Sequence, residues 1–359
     1  KFSLSYDEYR HNQLITGINL KYLFNENFKK KKIELFALIK LHYSLMTSID
    51  FYATSDYMLS KNNTERIIEE FGVISTKMRE EMNENFYKLK TYNTELNNTQ
   101  IPKLDDLQTR NNENLNHLRK MIAMEIKNNI SDNNGNLFYI ESPTGSGKTN
   151  LALLSIVELL KKRNELNKVY YVLPFTTLVN QTYQSFIETL GINANDILDL
   201  HSKGGFHIKN YSASKVEIDS VYRNDTLNYI DNIFMNYPIT VMSHIKFFDI
   251  LKSDLKSNNY IFHRLANSIV VIDEIQSYPP KEWDKIHLFI SHFARCFNIV
   301  FIVMSATLPK IDKLSIGAGE NLQMIDLISN KYKFFYNPNF KERVQFDYSL
   351  LKNQKIKFK

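Results

Sequence analysis

The sequence predicts an α/β protein: a parallel sheet with helices on both faces, preceded by an all-α segment. Three observations carry this. Short apolar runs at 137–140, 169–173, 239–242, 269–272 and 299–304 alternate with helical patterns. Those runs are continuously apolar, as strands buried on both faces must be, and Ile269-Val270-Val271-Ile272 is wholly β-branched. The first run leads through Glu141-Ser142-Pro143-Thr144-Gly145-Ser146-Gly147-Lys148-Thr149 into the helical stretch Leu151–Leu160. Strand, glycine loop and helix in that order form the context of a phosphate-binding loop.

Taken in order, residues 1–60 read as helical. The strongest part runs from Ile33 to Tyr57, where Phe36, Ala37, Ile39, Leu41, Leu45, Ile49 and Tyr52 recur near helical spacing. Lys29–Lys32 reads as a solvated turn ahead of that helix. Residues 61–105 are polar, with helical patches at Glu65–Phe71 and Met78–Leu89, and Asn97-Asn98-Thr99-Gln100 followed by Pro102 marks a boundary. Leu115–Ile130 reads as a helix stopped by Asn133-Asn134-Gly135. Residues 203–228, with Gly204-Gly205, interrupt the alternation as an inserted loop or small helical excursion. The expected organisation is therefore a helical segment at 1–60, a helical linker at 61–105, an α/β domain at 106–335 and the start of a further unit at 336–359.

Composition bounds the function. A 43% hydrophobic and 23% charged chain has enough apolar residues for a packed core, which argues against wholesale disorder. A net charge of +6 suits a nucleic-acid partner without demanding one. The lone Cys296 rules out an internal disulfide and cysteine-rich zinc sites, and predicts a reducing, cytoplasmic setting. No apolar run is long enough to span a membrane, and no secretory signal is evident. The chain opens at Lys1-Phe2-Ser3 without a methionine, which suggests a piece of a longer protein.

The chemistry concentrates at strand ends. Gly145 and Gly147 let successive backbone N–H groups of Thr144–Thr149, Ser146 among them, turn toward one point, where a helix N-terminus adds positive potential. Lys148 would reach the β- and γ-phosphates of ATP, and the Thr149 hydroxyl would ligate Mg²⁺. Asp273 and Glu274 close the strand 269–272: Asp273 suits the same Mg²⁺, and Glu274 suits orienting and polarising the attacking water. Alone, the two carboxylates could instead form a helix N-cap. Ser305-Ala306-Thr307, at the end of the last predicted strand, supplies small hydroxyls able to donate or accept and by itself reads as a plain strand-to-loop turn; its resemblance to helicase motif III implies, together with Gln276, an element coupling the nucleotide site to a nucleic-acid site. Thr176 and Thr177 after the second strand, and Ser243 after the third, could bind nucleic-acid phosphates. His201 and His244 read equally as structural histidines. Gln108, with Arg110, reads either as an adenine-edge reader or as an exposed glutamine.

Together these stretches resemble motifs I, Ia, II and III of the first RecA-like domain of superfamily-two helicases, although Ser142 stands where the strict phosphate-loop pattern has glycine. Asp-Glu-Ile-Gln-Ser-Tyr-Pro-Pro at 273–280 resembles motif II of the helicase–nuclease of type I CRISPR interference. Tyr43–Thr54 resembles the last helix of that family's HD nuclease domain, in which Asp50 matches one ligand of a transition-metal site. Lys341-Glu342-Arg343-Val344 resembles the beginning of a second RecA-like domain, which would occupy 336–359 and beyond. The resemblance implies an ATP-dependent single-stranded DNA translocase coupled to an HD nuclease and recruited by a crRNA-guided surveillance complex. Two alternatives stay open at this stage: a superfamily-two helicase of restriction or repair, and an ATP-binding switch or scaffold.

Overall fold

The computed structural model describes residues 28–59, 71–94, 96, 102–200, 228–253, 255–306 and 323–341. Glu65–Glu70, the boundary at 97–100, His201, the insert from 203 to 227, Thr307 and the stretch from Glu342 onward lie outside the described residues.

The strands are β1 (Leu137–Glu141), β2 (Lys168–Leu173), β3 (Ile197–Leu200), β4 (Ile239–Ser243), β5 (Ser268–Ile272), β6 (Val300–Ser305) and β7 (Ile325–Asp326). They form one sheet in the order β3-β4-β2-β5-β6-β1-β7, and every pairing is parallel. The five expected strands are all present. The two edge strands were not foreseen: β3 is four residues with half-buried Asp199 in it, and β7 is two residues. Edges this short carry too few side chains to impose a pattern.

Side chains of the central strands alternate between two cores, one on each face of the sheet. Phe138 and Ile140 of β1, Val169 and Tyr171 of β2, and Ile269 and Val271 of β5 enter one core. Leu137 and Tyr139, Tyr170 and Val172, and Val270 and Ile272 enter the other. The first core is completed by α2 (Thr76–Leu89), α3 (Asn112–Asp132), α4 (Lys148–Lys162) and α5 (Thr176–Leu190). The second is completed by α6 (His244–Lys252) and α7 (Pro280–Phe297). Their starts follow ordinary capping chemistry: Ser75 accepts from Met78 N–H, Asn111 accepts from Asn114 N–H, and Pro280 opens α7.

The N-terminal helix α1 runs over Phe28–Leu59. It starts earlier than expected: Lys29–Lys32 belong to its first turns, since lysine is a good helix former. Ala37, Lys40, Ser44 and Ser48 form its buried stripe. Lys40 donates to Ser253 O and to Asn259 Oδ1 (2.7 Å), and Ser44 Oγ accepts from His263 N–H at 3.0 Å. Tyr52 donates to Asn236 Oδ1 and accepts from Arg264. The helix thus docks on the α6–α7 side. Its opposite face leaves Leu38, Ile39, Met46 and Ile49 exposed. Among the described residues no helix is long and apolar enough to cross a membrane.

Candidate nucleotide site

The phosphate loop links β1 to α4. Gly145 and Gly147 take φ of +88° and +83°, and Gly147 is the left-handed N-cap of α4. A Cβ on Gly147 would meet nothing within 4 Å, so backbone conformation and not space demands glycine there. The loop is braced from beneath. Ser142 is buried; its N–H donates to Ser305 O at 3.2 Å and its Oγ accepts from Ser146 Oγ at 2.9 Å. Ser146 N–H is itself taken by Pro143 O. Ser146 therefore shapes the loop from within. The small residue where a stricter pattern has glycine is used as a brace.

Lys148 and Thr149 open α4 and are both half-buried. The Lys148 ammonium pairs directly with Glu274 Oε1. Glu274 Oε2 accepts from Gln276 Nε2, and Gln276 Oε1 accepts from Ser305 Oγ at 3.0 Å. One chain of contacts so connects the phosphate loop, the Asp-Glu stretch and the end of β6. Glu274 sits at φ +50°, a left-handed conformation that costs a non-glycine residue energy and that tends to persist where surroundings enforce it. Glu274 stands at the N-cap position of the short 3₁₀ turn Ile275–Ser277, but its side chain makes no capping hydrogen bond there.

Asp273 is 6% exposed at the end of β5. Its Oδ2 accepts from the Tyr171 hydroxyl at 2.9 Å and its Oδ1 from Glu274 N–H at 2.8 Å. Burial, only partly offset by the Tyr171 donor, raises its carboxyl above the ordinary range. A buried carboxylate held this way suits a divalent cation, which would supply the missing positive charge; each oxygen keeps a further lone pair for it. Burial also raises the Tyr171 phenol, so it stays a donor. Tyr171 was not singled out from sequence, because within Val-Tyr-Tyr-Val it reads as core. Arg119 was missed as well: from α3 its Nε and Nη2 donate to Gly145 O at 2.9 and 2.8 Å, gripping the phosphate loop. One arginine in an amphipathic helix carries no sequence signal of that task.

At the neighbouring strand ends, Thr176 and Ser243 meet across a cleft of about 350 Å³ that Pro174, Leu200 and Lys246 also line. Thr176 and Thr177 are exposed at the N-terminus of α5, and Ser243 caps α6 by accepting from Lys246 N–H. Two helix N-termini and the half-buried Lys246 thus face one cleft, which Asp249 also lines, setting a carboxylate beside the lysine. His244 is half-buried against the Tyr278 ring, and burial lowers its basicity, so it is a neutral packing residue at neutral pH.

The remaining candidates sit apart. Gln108 and Arg110 are exposed in the turn before α3, where Gln108 Nε2 donates to Leu104 O at 3.3 Å. Asp50 lies on the exposed side of α1. Among the described residues no group of three or more His, Cys, Asp or Glu could hold a metal ion.

The family model of the DEAD/DEAH box helicases matches residues 121–314, more than half of the chain. This protein belongs to the DEAD/DEAH box helicase family. The sheet and loop above are its RecA-like fold, and the box reads Asp-Glu-Ile-Gln, with Gln276 wired into the site. The chain is 24% identical over 230 residues to the ATP-dependent DNA helicase MER3 of Saccharomyces cerevisiae, covering 60% of this chain and 17% of that protein. It thus spans about a sixth of the curated relative it matches. Among solved structures, T. fusca Cas3 with ATP is 19% identical with a TM-score of 0.37, covering 51% of this chain and 20% of that one. The UvsW helicase of bacteriophage T4 is 15% identical with a TM-score of 0.32, covering 53% and 52%.

Proposed function

We propose that this helicase-family chain is the ATP-binding half of a motor that moves along single-stranded DNA. The observation that carries the reading is the contact chain Lys148–Glu274–Gln276–Ser305, because it joins phosphate loop, water-activating carboxylate and strand end into one responsive unit. Thr149 and Asp273 would hold Mg²⁺, which neutralises phosphate charge when bound. Lys148 would exchange Glu274 for phosphate oxygens. Glu274, so released, would orient water and accept its proton. Gln276 would carry the change to Ser305 and onward to the Thr176–Ser243 cleft, which would hold the sugar–phosphate backbone of DNA. The name of the yeast relative, a DNA helicase, supports DNA over RNA.

The finer reading is the type I CRISPR helicase–nuclease, supported by the Asp-Glu-Ile-Gln-Ser-Tyr-Pro-Pro stretch and by the resemblance of Tyr43–Thr54 to an HD-domain helix. Asp50, exposed, would be one ligand of a transition metal whose other ligands come from elsewhere, and the partner would be a crRNA-guided complex. A helicase outside CRISPR defence is the second reading, favoured by the similarity to MER3.

Glu274→Gln separates the roles. In the intact protein it should retain ATP binding, or bind slightly tighter because Lys148 is freed, while DNA-stimulated hydrolysis falls at least about 100-fold. Near-parental turnover would remove Glu274 from the chemistry. Asp50→Ala in the intact protein should abolish metal-dependent DNA cleavage and spare ATP hydrolysis; undiminished cleavage would refute the nuclease reading alone.

A further inference from the structure

We infer that Asn337 and Asn339 are positioning residues for the base end of the nucleotide site: they hold the backbone at 107–111 in the shape that presents Gln108 to adenine. The inference rests on Gln108 as the base reader and adds what orients it.

Asparagine is seldom fully buried unless its amide is satisfied. Asn337 and Asn339 are 2% and 3% exposed, in a strap that follows α8 (Lys331–Phe335). Both amides converge on one acceptor: Asn337 Nδ2 and Asn339 Nδ2 donate to Leu107 O at 3.1 and 3.0 Å. Asn339 Nδ2 also donates to Thr109 O at 3.2 Å, and Asn339 Oδ1 accepts from Asn111 N–H at 3.1 Å. The two asparagines brace each other, since Asn337 Oδ1 accepts from both the N–H and the Nδ2 of Asn339 at 2.9 Å. Phe334 and Phe340 anchor the strap in the same core as Leu107.

The pattern of attachment is informative. The backbone is gripped at 107, 109 and 111, and Gln108 and Arg110, like Thr109 and Asn111, are exposed. Closing a turn requires one such bond; gripping alternate residues fixes the direction of the two between them. Placement agrees. Arg119, which grips the phosphate loop, lies eight residues beyond Asn111, about 12 Å along α3. That is the scale separating a nucleotide's phosphates from its base. Helix α8, which leads into the strap, touches the phosphate end too, through the Lys331–Glu141 pair just before the loop.

The test is competition binding on the 359-residue chain with ATP–Mg²⁺, GTP–Mg²⁺ and tripolyphosphate–Mg²⁺. Asn339→Asp keeps the shape but turns an acceptor toward the Leu107 and Thr109 carbonyls; Asn337→Ala is the milder second variant, should the first fail to fold. Expected is a roughly tenfold loss of ATP affinity in Asn339→Asp, a smaller loss in Asn337→Ala, ATP-over-GTP preference shrinking in step, and unchanged tripolyphosphate affinity. Gln108→Ala should show the same signature, and combining it with Asn339→Asp should cost nothing more. If Gln108→Ala erases base preference while folded Asn variants keep it, the positioning role is overturned and the Gln108 reading stands. If tripolyphosphate weakens as much as ATP, the asparagines are general scaffold and the inference fails. If Gln108→Ala leaves base preference intact, the Gln108 reading fails, and the inference with it.

Discussion

At the scale of single residues, the candidate site is a set of closely placed charges. Lys148 and Glu274 neutralise each other, while Asp273 stands buried with its carboxyl raised above its ordinary value near 3.8. The sign of the consequence follows from linkage. The folded state holds the Asp273 proton more tightly than the unfolded state, so stability falls as pH rises from about 3.8 through the folded value. At neutral pH the ionised group is therefore a standing cost, and Asp273→Asn should melt higher than the parent without nucleotide. That gain should shrink as the pH is lowered toward 3.8, and the variant should lose Mg²⁺-dependent tightening of ATP binding. A lower melting temperature at pH 7 would contradict this electrostatic account. Lys148, Thr149, Asp273, Glu274 and Gln276 were legible in the sequence because each stands at a fixed offset from a strand end. Arg119, Tyr171, Asn337 and Asn339 were not: they act from buried strands, helices or turns, where their types are ordinary and only three-dimensional proximity gives them a task.

At the scale of elements, two glycines illustrate different constraints. Gly147 is left-handed in open space, so Gly147→Ala should cost only about 1–2 kcal/mol of stability while deforming the phosphate cradle. Gly72 is left-handed and packed: a Cβ there would lie 2.0 Å from Asn236 C. Its carbonyl also accepts from buried Lys168 at 2.6 Å. Gly72→Ala should therefore destabilise more than Gly147→Ala in denaturant melts, yet spare nucleotide affinity in molecules that remain folded. The reverse order of stabilities would mean the segment before α2 is not held as described. The central strands were readable because burial on both faces leaves an unbroken apolar run, whereas β3 and β7 escaped because a short edge imposes no pattern. The onset of α1 was misplaced because four lysines were taken for a solvated turn, although lysine propagates a helix well.

At the scale of the molecule, the described residues form one RecA-like sheet with the candidate nucleotide site at the ends of its strands. The superfamily resemblance implies a second RecA-like domain opposite, supplying arginines to the transferring phosphate. The 359-residue chain by itself should therefore bind ATP but turn it over very slowly, and single-stranded DNA should not restore rapid hydrolysis. Robust DNA-stimulated turnover from this chain would show that one RecA-like domain suffices. The central claim, that the loop between β1 and α4 is the ATP site, is tested most directly by titration calorimetry of ATP–Mg²⁺ into the chain and its Lys148→Ala variant. The account predicts one site in the parent and no detectable heat in the variant. Equal affinity in a folded variant would contradict it.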